Sequence, residues 1–145
     1  MNGVDDLIEH LDLLARNFSD YDEAYIVKIF LLEAGIDTRG YGFDYIYEAV
    51  ILWYSKAMRC VSKEIYPTVA EKYHPYATIK QVEKTISRAI ERAWTDRDEM
   101  WETFFPEAQR PANTEFISRM AKVLEIWVDR CEFLKRVEGG ERSEF

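Results

Sequence analysis

Hydrophobic positions recur at helical spacing from the first segment of the chain to the last. In "VDDLIEHLDLLARNF", Val4, Leu7, Leu11, Leu14 and Phe18 alternate at spacings of three and four, with Asp and Glu on the other faces. That is a seam like the a and d positions of a short coiled coil. "SDYDEAYIVKIFLLEAGID" follows, with Ser19 or Asp20 placed to cap a helix and Gly35 to stop it. "TRGYGFDYIYEAVILWYSKAM" opens on a glycine-containing turn at Arg39–Gly42 and runs on as a strongly apolar helix. "SKEIYPTVAEKY" turns Ile65, Val69 and Ala70 inward, and Pro67 fits there only in a first turn or at a kink.

"HPYAT" interrupts the pattern, because Pro75 forbids a continuous helix and Thr78 can cap a new one. In the next segment, "TIKQVEKTISRAIERAW", Ile79, Val82, Ile86, Ala89, Ile90 and Ala93 share one arc. "DRDEMWETFFPEAQRP" holds one short helix ending before Pro106. "NTEFISRMAKVLEIWVDRCEFLKRV" starts on Asn113 or Thr114 as cap and carries a long stripe from Phe116 to Val128. Residues 137–145 read as a loose tail. No segment alternates at period two, so the fold class is all-α, a compact bundle of about six to seven helices.

Composition narrows the function. A chain of 145 residues suits one domain. Its longest apolar run, Ala49–Tyr54, is far short of the roughly 20 residues a membrane span needs. The start, "MNGVDDLIEH", is acidic where a signal peptide is basic, so a cytoplasmic location is expected. Cys60 and Cys131 form no CxxC pair and read as two buried or half-buried thiols. His10 and His74 read as surface residues, and neither falls at a metal-ligand spacing. No P-loop, nucleophile elbow or carboxylate pair in an apolar setting is present, so no cofactor, metal or enzymatic activity is expected.

The net charge of −8 counts against a nucleic-acid partner. Its distribution does not. Residues 56–98 hold nine Lys or Arg against six Asp or Glu, and they form the one net-positive part of the chain. This part contains the pair "SKEIYPTVAEKY" and "TIKQVEKTISRAIERAW", two helices joined by a broken turn, as in a helix-turn-helix. The side of the second helix away from its apolar arc carries Lys80, Gln81, Glu83, Lys84, Ser87 and Arg88. These types suit base edges, since Lys or Arg donates to guanine, Gln pairs with adenine and Glu accepts from cytosine. Ser62, Lys63, Thr78 and Arg92 are placed for phosphates.

The ordered set "LLEAGIDTRGYGFDYIYEAV", "EIYPTVAEKY", "VEKTISRAIERAW" and "PANTEFI" resembles the C-terminal DNA-binding domain of stage-zero sporulation protein A, the master response regulator of endospore formation. The resemblance runs from about Ile26 to Leu124. It implies an all-helical domain, sequence-specific binding to double-stranded promoter DNA and contact with RNA polymerase. In that family a Glu and two Arg residues read bases. Carried over by the resemblance, Glu83 matches the Glu, Lys84 stands for the first Arg and Ser87 for the second. The turn "HPYAT" is about two residues longer than is usual there.

Three regions follow. Residues 1–23 form an acidic leading helix, a packing element or a homodimer seam through Val4, Leu7, Leu11 and Leu14. Residues 24–136 form the helix-turn-helix domain, and residues 137–145 the tail. Residues 1–23 are too few for the phosphoacceptor domain of the family's regulators, so either an excised effector domain or a stand-alone relative is expected, with Met1 and the acidic leading helix pointing to the latter. The alternative function is a protein-interaction module that kept the fold and lost DNA binding.

Overall fold

The computed structural model describes residues 3–18 and 22–143, and every regular element among them is helical. The helices are α1 (Gly3–Phe18), α2 (Glu23–Glu33), α3 (Gly42–Lys56), α4 (Tyr66–Lys72), α5 (Ile79–Thr95), α6 (Glu99–Phe104) and α7 (Asn113–Ser143). Ser19 and Asp20, the expected caps of α2, lie outside the described residues. Asp22 caps it instead, its carboxylate accepting from the Tyr25 N–H at 2.9 Å.

α7 is the centre of the bundle, packing against α1, α2, α3, α5 and α6. Its apolar stripe meets a cluster of aromatic rings. Trp101 lies 4.8 Å from Phe105, which stacks on Phe116 at 4.9 Å, and Phe104 lies 5.7 Å from Phe30. The helix also runs on to Ser143, through the region expected to be a tail. Glycine costs a helix interior about 1 kcal/mol but keeps its N–H, so Gly139 and Gly140 do not end it.

The leading helix belongs to this same core. Leu11 and Leu14 are buried and Leu7 packs against them from the edge, so most of the expected dimer seam is already occupied within the chain. Val4, at 63 % exposure, is the seam position that stays outside. Arg130 of α7 grips Asp12 with two hydrogen bonds, which fixes α1 in register. His10 is a correction to the sequence reading. Rather than lying on the surface, it is largely enclosed, hydrogen-bonded to Glu33 at 3.0 Å and set edge-on against Phe104. His74 is exposed, in the turn after α4, before a cis peptide bond to Pro75.

Pro67 sits in the first turn of α4, behind a single π-helical turn at Val61–Ile65. Proline supplies no N–H and its ring crowds the carbonyl four residues back. The wider π-turn accommodates this, with the Tyr66 N–H donating to the Val61 carbonyl.

α3 and α5 meet through Gly42, and a Cβ there would lie 2.8 Å from the Ala89 Cβ. Gly42→Ala is therefore expected to cost about 1–3 kcal/mol, read as a lower thermal midpoint. In a double-mutant cycle, Ala89→Gly should offset part of that loss by removing the opposing methyl.

Candidate nucleic-acid interface

α4, a turn and α5 form the two-helix unit foreseen in the sequence. Val82, Ile86, Ile90 and Ala93 bury one face of α5 against the core, while Ile79, in the first turn, stays 47 % exposed. Thr78 caps the helix. Its hydroxyl accepts from the Gln81 N–H at 3.2 Å, and the Gln81 carbonyl oxygen accepts from the Thr78 N–H at 2.9 Å. This reciprocal capping box satisfies two otherwise orphaned donors. It also changes the reading of Gln81. Pairing with adenine requires both the carbonyl and the amide of the side chain, and here the carbonyl is committed to the cap.

The outward face carries Lys80, Lys84 and Arg88, one turn apart and all exposed. None of the three has an ion-pair partner among the described residues, and neither does Lys63. Like charges at i, i+4 destabilise a helix by a few tenths of a kcal/mol per pair, and a lysine in the first turn opposes the macrodipole. Local helix stability does not account for this row.

Ser87 is the main departure from the expected site. It is half-buried and faces the loop between α6 and α7, where Arg110 Nη2 donates to its hydroxyl at 3.1 Å and to its carbonyl at 3.0 Å. Arg110 also pairs with Glu91 and donates to the Pro111 carbonyl. This clamp ties the second half of α5 to the loop and commits the Ser87 hydroxyl to Arg110. Arg92 likewise has a partner, since its Nη1 lies 3.3 Å from Asp37 Oδ2.

The other flank of α5 borders a cleft of about 440 Å³ that includes Ser62, Tyr66, Glu83, Asn113 and Thr114. Asn113 Nδ2 donates to the Tyr66 hydroxyl at 3.0 Å and to the Glu83 carbonyl at 3.3 Å, so the start of α7 staples α4 to α5. Burial raises the pKa of the Tyr66 phenol above its ordinary value, so it stays neutral as an acceptor. The Glu83 carboxylate remains exposed within the basic row, and Ser62 and Lys63 are exposed on the π-turn. α1 packs on α6 and α7 and leaves this face open.

Sequence reasoning missed Arg110 and the stapling role of Asn113. No periodicity marks the loop that carries Arg110. The capping role of Gln81 was signalled by the spacing Thr78-x-x-Gln81.

α4, the turn and α5 make a helix-turn-helix pair whose second helix is capped by Thr78 and presents Lys80, Lys84 and Arg88 to solvent. Residues 27–124 match the family described as sporulation initiation factor Spo0A C terminal, and the chain belongs to that family. It is a family of DNA-binding effector domains rather than of enzymes. The match runs from within α2 to within α7, so α1 and the far part of α7 lie outside it. Among the described residues no helix is long and apolar enough to cross a membrane.

Proposed function

We propose that this protein is a sequence-specific DNA-binding transcription regulator whose base-reading residues depart from those usual in its family. The observation that carries the reading is the exposed, unpaired row Lys80–Lys84–Arg88 on the second helix of the pair. Lys84 donates to guanine and Glu83 accepts from cytosine. Arg88 takes up part of the role that the family resemblance gives to the position of Ser87. Lysine lacks the rigid fork of arginine, and Ser87 is turned to Arg110, so the preferred site differs from that of the sporulation regulator. Ser62, Lys63 and Thr78 hold phosphates on the flank nearest α4. RNA polymerase is the accompanying protein partner, on the strength of the resemblance.

The test is a fluorescence-anisotropy titration against mixed-sequence duplex over a salt series. Neutralising about four phosphates gives a log–log slope near −3.6, so affinity falls on the order of 100-fold between 50 and 200 mM salt. Absence of binding at low salt, with a protein partner recovered independently of nuclease, would favour the interaction-module reading that the −8 charge suggests.

A further inference from the structure

A major groove is about 12 Å wide, and a helix with its side chains fills about 10–12 Å. A helix seated there meets a phosphate wall on each flank. One flank of α5 faces the Ser62–Thr114 cleft. The opposite flank borders a smaller cleft, about 140 Å³, between the α2–α3 turn and Thr85, Arg88 and Arg92 of α5.

This second cleft is strongly basic. Arg39, Arg88 and Arg92 line it against one carboxylate, Asp37. Asp37 holds two of the three arginines. It accepts from Arg39 Nη2 at 2.8 Å and Nε at 3.1 Å, and from Arg92 Nη1 at 3.3 Å. Even so, the side chains of Arg39 and Arg92 remain 87 % and 65 % exposed. Their remaining N–H groups have no partner among the described residues. Exposed ion pairs of this kind add little stability, so the triad is better explained as an arrangement of donors. The turn that carries Arg39 is held against α5 by the close approach of Gly42 to Ala89. Tyr41, half-exposed at the rim, is steadied by stacking on Tyr45 at 5.7 Å.

We infer that this cleft is a second docking point for the DNA backbone, where Arg39, Arg92 and the Tyr41 hydroxyl take a phosphodiester beyond the bases read by α5. The inference rests on the reading of α5 as a recognition helix. Asp37 orients the two guanidinium groups in the free protein and partly neutralises them.

The test compares wild type, Arg39→Ala and Asp37→Asn by anisotropy on one duplex across a salt series, with thermal melts to check folding. Arg39→Ala should weaken binding about 3- to 10-fold at low salt and reduce the slope by about 1, without changing the ranking of sequences. Asp37→Asn should strengthen binding, because it removes the competing anion. A triad that only supports the fold predicts that both substitutions weaken binding, and that result would overturn the inference. So would an Arg39→Ala protein with wild-type affinity and slope. If the wild type binds no duplex, the reading of α5 fails as well, and the two failures are thereby told apart.

Discussion

Trp101→Ala is expected to destabilise the protein by about 3–5 kcal/mol. The ring is fully buried and contacts Phe105, Phe116 and Trp94, with centroids 4.8, 5.9 and 6.0 Å away. Removing it opens a cavity where α5, α6 and α7 meet, and rings stacked on one another cannot collapse into it. Domains are stable by about 5–15 kcal/mol in all, so the melting midpoint should fall on the order of 10–15 °C. Trp101→Phe should behave very differently. The indole N–H has no hydrogen-bond partner among the described residues, and phenylalanine removes that unmet donor while keeping most of the packing. A thermal melt of the two variants separates packing from polarity at this site.

Lys84→Ala together with Arg88→Ala should lower affinity for a preferred duplex on the order of 100-fold. Each good base contact is worth about 1–3 kcal/mol, and neither side chain is tied to the protein by an ion pair among the described residues. Both point outward from α5, so the melting midpoint should barely move. Ser87→Ala should give a smaller binding loss together with a measurable loss of stability, since it removes the hydroxyl held by Arg110. Anisotropy and melting on the same samples distinguish a residue that reads DNA from one that holds the helix.

The sequence made legible whatever was local. Helical spacing placed α5 and its buried arc, because residues 3.6 apart share a face whatever lies behind them. It also placed Lys80, Lys84 and Arg88 outward. It could not show that the Ser87 hydroxyl is committed to Arg110, 23 residues later in a loop without periodicity. Nor could it show the hold of Asp37 on Arg92, across 55 residues. The α1 seam was ambiguous for a physical reason: a stripe at spacings of three and four packs equally well on a second copy or on its own domain. The family motifs ordered what periodicity alone left open. Without them, a basic helix edge in a chain of charge −8 reads as solvated surface.

The central claim is that α5 reads DNA sequence. The most direct measurement is selection from a library of randomised duplexes, run in parallel with wild type and with the Lys84→Ala, Arg88→Ala protein. The account predicts that the wild type enriches one motif, distinct from the sporulation regulator's usual site, and that the double variant enriches none. Equal recovery of all sequences by both proteins, with both folded, would contradict it.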